Sequence, residues 1–553
     1  MRMLSRRDFV WSSSLAAAGS ILGVRGASAR PIGVSPTHLA LPAAAFIPED
    51  VITPSTLRVF ATRALDAARS AGAGYADVRV AEHQDFFTYI VGDSELPEGI
   101  YITPKFMYGI RVMVDGAWAL VHGSVPHPDA LATSARQAVA TARGYVRLNG
   151  PRQDLAPVPV VTGVWETPMQ LDPFTVPIGD QAALLSAYVR SAERVRHVST
   201  SITTFRWIRE TRVFASSEGS MLTQTLRRAL PEFEIKGQII QSNDPPTPRK
   251  LLWPASGGYE CVTKPGLEED IARSAEEVAA LSRLPRGPLP VGRYPAIFDG
   301  TTLGMVLGRT LGVAVELDRA LGEEAGAGGS SFLSPPQEMF GTTIANPVLN
   351  VTASRAMPSI NAVKWDDEGV ETQPFPLIQE GKIVNYCASR RTAPALDTRN
   401  NLRPTAKQLF GCVLAPDADQ PALVRVPHLT IAANSSRASV EDLCKGISHG
   451  VLVQGAEHVS TDPQLSSGFM NEWSIHLFEI AHGKVVRRLD GNGLQFGTRR
   501  FWKSLRGVGD PSTVQPSAIR LHKGAPDVEA WYGSNAPAGF FEEADIISTR
   551  MNA

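Results

Sequence analysis

The stretch "YPAIFDGTTLGMVLGRTLGVAVELD", residues 294–318, contains the pattern that decides the fold. Its first residues form an apolar run that predicts a buried strand, and the segment 301–318 predicts a buried helix. Apolar residues recur at every fourth position along one face of this helix, as core packing requires: Leu303, Leu307, Leu311 and Val315. The helix contains no His, no Cys and no central acid, so its middle offers packing surface but no reactive side chain.

Helices and strands alternate in the half of the chain that precedes this stretch. Apolar spacing and alternation predict three helices, two strand regions and one hairpin that turns at Asp115-Gly116. The helices are expected over 54–71, 127–145 and 268–284, the strands over 75–82 and 211–240, and the hairpin over 108–124. The half that follows is dominated by strands and by turn signals such as "DDEG", "QEGK" and "AHGK".

The sequence therefore predicts an α+β protein of two domains. The first, 51–287, is a mixed α/β domain of sheet and helices, and the second, 288–553, is a β-rich domain with one central helix. The segment "PRGPLPVGRYP" (285–295) marks the boundary because it is rich in Pro and Gly. A chain of 553 residues is long enough for two separate cores.

Charge and cysteine content exclude several classes of protein. The formal net charge is −1, from 54 basic and 55 acidic residues, which gives no electrostatic basis for binding nucleic acid or an anionic membrane. The four cysteines are widely spaced and form no CxxC, so neither a disulfide framework nor a thiolate metal site is indicated. One long-range disulfide remains open in an oxidising compartment.

The N-terminus has the layout of a signal peptide. A basic start and a weakly apolar run end in an A-x-A sequence at Ala29, and Arg6-Arg7 in "SRRDF" indicates the twin-arginine route. We therefore expect a signal peptide over 1–29, a Pro-rich linker over 30–50, and export to the periplasm or the extracellular space. Whether the signal is cleaved stays open, with an uncleaved membrane anchor as the alternative. We expect no stable membrane span after cleavage.

Several stretches occur together in one order: "YADVRVAE" (75–82), "YGIRVMVDGAWALVHGS" (108–124), the central stretch, and "VKWDDEGVETQPFPLIQEGKIVNYCASRRTA" (363–393). This combination resembles the TldD/PmbA family, also called modulator of DNA gyrase proteins, over most of residues 55–520. The resemblance implies a metallopeptidase-type assembly. One subunit type carries H-E-x-x-x-H on a helix, and a cysteine near its C-terminus completes a zinc site. The other type lacks these residues and pairs with the first.

On this chain the family motif falls on residues 308–313, and none of its chemistry is present. Gly308 and Val313 stand at the two His positions, and Arg309 stands at the Glu position. A glycine and a valine cannot bind zinc, and an arginine cannot act as a general base because it stays protonated. The matching C-terminal region, 490–513, contains no Cys. The chain is therefore identified as a degenerate member with no catalytic residue, no metal ligand and no cofactor, although zinc is expected in the family.

Three groups of residues keep alternative interpretations. Arg309 is either a fixed charge in the emptied site, a partner of Glu316 or of a main-chain carbonyl, or an ordinary surface arginine. The "DDEG" segment either contacts a substrate main chain or a cation, or is a turn in which Gly supplies a positive φ. Its residues are Asp366, Asp367, Glu368 and Gly369. A replacement metal site is conceivable against plain surface and strand histidines, at Cys444, His449, His458, His476 and His482.

These observations predict an exported pseudoenzyme of the metallopeptidase-like family. We expect it to be the non-metal subunit of a proteolytic complex that acts on unstructured peptides. Its partner would be a metal-bearing TldD-type relative in a heterodimer, or a second copy in a homodimer. The alternatives are an active metallopeptidase with unusual ligands and a stand-alone peptide-binding or chaperone-like protein. The sequence leaves open whether the chain is an enzyme, its substrate and its partner's identity.

Overall fold

The three large sheets of this protein contain most of its strands. The computed structural model describes residues 52–90, 98–146, 155–200, 203–237, 248–356, 359–397, 409–434 and 438–550. The predicted signal peptide and linker lie outside the described residues. The described residues all belong to one unit, 43–553, and the domain boundary expected at 287/288 stays a prediction. No helix in the described ranges is long and apolar enough to cross a membrane.

The first sheet has seven strands in the order β10-β7-β6-β1-β2-β3, and β4 also pairs with β7. The strands of this half are β1 Tyr75–Ile90, β2 Glu98–Val114, β3 Ala117–Gly123, β4 Thr162–Glu166, β5 Val198–Thr200, β6 Thr203–Ser216, β7 Met221–Glu232, β8 Glu234–Gly237, β9 Pro248–Lys250 and β10 Ala255–Ser256. The three short strands β5, β8 and β9 form a small sheet of their own. The expected hairpin is confirmed. β2 and β3 meet at Asp115 and Gly116, which both have positive φ, as a tight two-residue turn requires.

Four helices accompany this sheet, and the sequence predicted three of them. They are α1 Pro54–Ser70, α2 Pro128–Val146, α3 Ile178–Glu193 and α4 Leu267–Ser282. α1 and α2 pack on one face of the sheet against Val78, Val80, Ile110 and Val112, so that face is apolar. α3 was not predicted, and it packs with α4 in a separate core. The opposite face of β1, β2 and β6 turns toward the second half of the chain.

Among its described residues, the second half contains a ten-stranded sheet, a six-stranded sheet, a small sheet of two strands and five short helices. The larger sheet runs β11-β23-β22-β19-β12-β28-β24-β21-β20 with β25 on β28, and the smaller runs β15-β14-β13-β18-β27-β26. The strands are β11 Arg286–Gly287, β12 Gly292–Phe298, β13 Val351–Ser354, β14 Phe375–Gln379, β15 Lys382–Ile383, β16 Val413–Leu414, β17 Leu423–Val424, β18 His428–Ile431, β19 His449–Gln454, β20 Ser460–Thr461, β21 Ser467–Met470, β22 His476–Ala481, β23 Lys484–Leu489, β24 Asn492–Gly497, β25 Leu505–Val508, β26 Gln515–Lys523, β27 Val528–Ala536 and β28 Gly539–Ser548. The α+β class, with strands dominating the C-terminal region, is confirmed.

The central helix follows β12 and contacts strands of both sheets. The helices of this half are α5 Gly300–Leu307, α6 Leu317–Ala320, α7 Pro336–Met339, α8 Val440–Lys445 and α9 Thr498–Ser504. Asp299 caps α5, since its carboxylate accepts the Thr302 N–H at 2.8 Å. α5 lies against β26 and β27 on one side and β19 on the other. The four residues expected in the core are buried: Leu303, Leu307, Leu311 and Val315.

The helix predicted over 301–318 is shorter and less regular than expected. α5 gives way to one turn of π-helix, Gly308–Gly312, and the backbone becomes extended at Glu316. The extended residue lets the Leu317 N–H bond the Cys387 carbonyl at 2.9 Å instead of a helical partner. Two glycines in one turn also weaken the α-helix locally.

A buried ammonium group fixes the chain where this helix ends. Lys523 on β26 donates to Glu316 Oε2 at 2.8 Å, to Asp318 Oδ1 at 2.7 Å and to the Val424 carbonyl at 2.7 Å. The three donors of the ammonium therefore have three acceptors, and its side chain is fully buried. A buried charge persists only when it is paired in this way, so the network ties three distant segments together.

Replacing Lys523 by Met should remove the ammonium that the buried carboxylates of Glu316 and Asp318 share. This change leaves Arg319, at 3.9 Å, beside Glu316. We expect the free energy of unfolding to fall by about 3–5 kcal/mol in a urea titration followed by circular dichroism. Lys503→Met is the matched control because Lys503 is exposed, and its stability should stay within about 0.5 kcal/mol of the wild type. Equal stabilities of the two variants would show that the network is not needed.

Candidate functional site

The positions that the family motif would occupy lie on the π-helical turn Gly308–Gly312 and on Val313, together called the motif turn. The Val313 N–H donates to the Gly308 carbonyl, which is an i→i+5 hydrogen bond. This bond puts the two positions one turn apart on the same side of the helix. In a regular α-helix, residues five apart would point about 140° away from each other. The backbone thus retains the geometry that two ligands at this spacing would need.

A tyrosine ring occupies the space beside the first motif position. A Cβ atom built on Gly308 would lie 2.1 Å from a ring carbon of Tyr532, a residue of β27. Tyr532 is itself only 2% exposed, so its ring is held by the core. The second position, Val313, is buried as well. A histidine at 308 would have no room unless Tyr532 moved.

Arg309 is bound to the main chain at the edge of the motif turn. Its Nε donates to the Val459 carbonyl at 3.2 Å, which is one of the alternatives that the sequence left open. Burial and the nearby Arg319 lower the pKa of this guanidinium. It remains a group with donors only, so it cannot take a proton from water as the family's glutamate would.

The C-terminal segment expected beside the motif does lie there. The indole N–H of Trp502, on α9, donates to Thr310 Oγ1 at 3.1 Å. This segment contributes an aromatic residue and no thiolate, since residues 490–513 contain no Cys. Within the described ranges no three His, Cys, Asp or Glu side chains are grouped so that they could hold a metal ion. The donor set at the motif turn therefore does not fit zinc.

The histidines considered as a replacement metal site have separate surroundings. His449 pairs with Glu479 at 3.1 Å, and His458 contacts the Ser460 hydroxyl at 3.1 Å. His476 is buried, and burial together with Arg488 lowers its pKa to about 3. These contacts match the interpretation of plain surface and strand histidines.

The "DDEG" segment forms a tight turn stabilised by its first residue. Asp366 Oδ1 accepts the backbone N–H groups of Glu368 and Val370, each at 2.9 Å, and Oδ2 accepts that of Val413 at 3.1 Å. Gly369 has a φ of +77°, which explains why a glycine stands there. A side chain at this position would also meet the ring of Phe214 on the first sheet.

The next two acids join the turn to the first sheet. Arg212 of β6 donates to Asp367 at 2.6 Å, and Arg111 of β2 donates to Glu368 at 3.0 Å. The other carboxylate oxygens accept the backbone N–H groups of Ala415, at 2.8 Å, and Arg390, at 2.7 Å. All three acids are buried. Substrate binding by Asp366, Asp367, Glu368 and Gly369 stays a prediction, while these contacts fit the alternative of a structural turn.

Sequence reasoning did not single out the arginines that face this turn. Arg79, Arg111 and Arg212 lie on the charged face of the first sheet, and Arg79 and Arg212 are buried. A signal was present, because Arg79 and Arg111 alternate with apolar residues in "YADVRV" and "GIRVMV". This alternation indicates a strand with one apolar and one charged face, but it does not show which part of the chain covers the charged face.

Comparison with known proteins gives one family. The family model of the PmbA/TldA metallopeptidase C-terminal domain matches residues 291–535. A metalloprotease from Methanothermobacter thermautotrophicus is 23% identical over 439 residues, which are 79% of this chain and 88% of that relative.

Solved structures show the same fold. TldE from Thermococcus kodakarensis matches with a TM-score of 0.64 at 16% identity, over 88% of this chain and 100% of that one. A Bacteroides thetaiotaomicron protein described as a modulator of DNA gyrase matches with a TM-score of 0.66 at 15% identity, over 90% and 100%.

Adding one methyl group at Gly308 should destabilise the protein. The new Cβ would overlap the buried Tyr532 ring, so we expect Gly308→Ala to lower the free energy of unfolding by about 1–3 kcal/mol. Gly144→Ala is the control, since Gly144 lies in α2 with open space around it and Ala should raise stability by about 0.5–1 kcal/mol. The two variants are compared by urea denaturation. A neutral Gly308→Ala would mean that Tyr532 does not fill this space.

The Asp366 carboxyl should make stability depend on pH. Burial, and secondly the charge of Glu368, raise the pKa of Asp366 to about 7 in the folded protein. In the unfolded chain this pKa is about 4. The folded protein therefore holds this proton more tightly, and the resulting gain in the free energy of unfolding is fully present below about pH 4 and is lost as the pH rises through 7. Asp366→Asn cannot titrate, so its free energy of unfolding should fall less steeply over this interval. Asp180→Asn, at an exposed position, should follow the wild-type curve. Parallel curves for wild type and Asp366→Asn would contradict the assignment.

Proposed function

This chain belongs to the TldD/PmbA family of metallopeptidase-related proteins, and we propose that it is the non-metal subunit of an exported proteolytic complex. Its partner in this proposal is a metal-bearing relative with the H-E-x-x-x-H motif, and the substrates are unstructured peptides. Export by the twin-arginine route is part of the proposal, supported by the sequence of residues 1–29.

One observation carries the proposal: the motif turn keeps its backbone geometry while Tyr532 occupies the space of a ligand. The i→i+5 bond between Val313 and Gly308 is retained, yet neither position has a donor atom for a metal. The buried ring of Tyr532 lies where a side chain at position 308 would have to be placed. The packing supports a scaffold that is maintained for structure rather than for hydrolysis.

The similarity to TldE over that protein's whole length supports a subunit role. A non-metal subunit contributes surface and shape, while the partner contributes the chemistry. Arg309 has no catalytic part in this arrangement, since its Nε is bound to the main chain. It holds the loop around Val459 against the motif turn.

The test is to express this chain alone and together with a genomically neighbouring relative that carries the motif. The cells are fractionated first, and both chains are expected in the exported fraction. The isolated chain should hold substoichiometric zinc by mass spectrometry and should not cleave a fluorescent unstructured peptide. The co-purified complex should hold zinc and cleave the peptide in a chelator-sensitive way.

The control is the same complex in which the partner's motif glutamate is replaced by glutamine. That complex should assemble and bind zinc but lose cleavage, which places the activity in the partner. Chelator-sensitive cleavage by the isolated chain would refute the proposal. So would the failure of any motif-bearing relative to co-purify with it.

A further inference from the structure

A second concave region lies away from the motif turn. A cleft of about 300 Å³ opens between the charged face of the first sheet and strands β26 and β27. Trp531 lines this cleft, whereas the next residue, Tyr532, contacts Gly308. Successive residues of a strand point to opposite faces of the sheet, so β27 separates the cleft from the motif turn. The cleft is therefore a different site.

The floor of the cleft is apolar. Ile208 and Leu230, from neighbouring strands of the first sheet, are nearly buried, and Trp531 packs against them from the other side. Met107 continues this surface. Such a floor gains free energy by burying an aliphatic or aromatic group.

Most charges around the cleft are already neutralised inside the protein. Three arginines of its wall each have a carboxylate within 4 Å: Arg206 with Asp85, Arg228 with Glu210, and Arg520 with Glu529. The guanidinium of Arg520 also lies 4.8 Å from the centre of the Trp531 ring. Each carboxylate offsets part of the attraction that its arginine would exert on an anionic ligand.

Two charges in the wall have no opposite partner. In the part of the chain that the structure describes, neither the ammonium of Lys105 nor the carboxylate of Asp417 has an opposite charge within 4 Å. Asp417 accepts one hydrogen bond, from the Gln420 amide at 3.3 Å. Lys105 is exposed and Asp417 is half-buried. Burial, and secondly Glu210, raise the pKa of the Asp417 carboxyl. The charges of His83, Arg212 and Arg228 oppose this rise.

We propose that this cleft binds a small zwitterion with an apolar side chain, that is, a free amino acid or a dipeptide. Lys105 pairs with the ligand's carboxylate, Asp417 pairs with its ammonium, and Ile208, Leu230 and Trp531 receive its side chain. A simple anion or a simple cation would leave one of the two charges without a partner. A volume of about 300 Å³ is at the small end of the range for ligand pockets, which suits a ligand of this size.

The inference goes beyond the proposed function and does not depend on it. Every residue that it uses belongs to this chain, and the metal-bearing partner has no part in it. Binding can therefore be measured on the isolated chain, and the result stands whether or not a proteolytic complex forms.

The test is isothermal titration of the purified chain with L-leucine and with L-leucyl-L-leucine. At least one of the two probes should bind saturably. Tighter binding of L-leucine indicates a site for a free amino acid, and tighter binding of L-leucyl-L-leucine indicates a site for a dipeptide. The N-acetyl derivative of that probe lacks the ammonium and the amide derivative lacks the carboxylate. Each should bind about tenfold more weakly, because a charge-assisted hydrogen bond is lost.

Two variants assign the contacts. Lys105→Met should lower the affinity for the zwitterionic probe about tenfold, so that the probe and its amide derivative bind equally well. Asp417→Asn should also lower the affinity for the probe about tenfold, so that the probe and its N-acetyl derivative bind equally well. Lys503→Met and Asp180→Asn change the same charges at exposed positions outside the cleft, so they should bind as the wild type does. A variant that fails to fold would show an altered circular dichroism spectrum, and the probe derivatives then give the answer on the wild type alone.

The proposal is overturned if neither probe binds saturably at millimolar concentration. It is also overturned if the derivatives bind as tightly as the parent probe, or if the cleft variants and the control variants lose affinity equally.

Discussion

The contact between Gly308 and the ring of Tyr532 is the constraint on which the rest of the candidate site depends. It denies a side chain to the position where the family's motif would begin. The π-helical hydrogen bond from Val313 to Gly308 lies in a turn whose residues Leu311 and Val313 belong to the main hydrophobic core, so core packing holds this backbone. The backbone geometry of this turn therefore does not depend on a side chain at position 308. Removing a ligand needs one substitution, whereas changing a buried helix would disturb two sheets.

Charged residues in this protein mainly hold its parts together. Asp367 and Glu368 face arginines of the first sheet. Lys523 has three acceptors, from Glu316, Asp318 and Val424. The carboxylates of Asp367 and Glu368, which could otherwise contact a substrate, are thus engaged in ion pairs and hydrogen bonds within the fold. A buried charge is tolerated only with an opposite partner, so segments that carry such charges must meet in one fixed arrangement. These networks specify how the first sheet and the second half of the chain are joined.

The cleft beside Trp531 differs from these buried networks in how its charges are arranged. There three arginines are paired internally, and Lys105 and Asp417 lie beside an apolar floor with no opposite charge within 4 Å among the described residues. Packing fills the space beside the motif turn, whereas the cleft lies open on the other face of β27. Recognition of a ligand at such a cleft needs complementary charge and shape but no reactive group.

The sequence by itself determined the α+β class, three of the four helices beside the first sheet, the hairpin at Asp115-Gly116 and the absence of zinc-binding residue types at positions 308, 309 and 313. These follow from local periodicity, from turn residues and from which atoms can coordinate a metal. It did not determine that the helix would end before Glu316, nor which groups would surround the motif turn. Tyr532, Trp502 and Lys523 all reach that region from positions far along the chain. Only the tertiary structure brings such residues together, because a contact between distant segments depends on how the sheets pack and not on any local pattern.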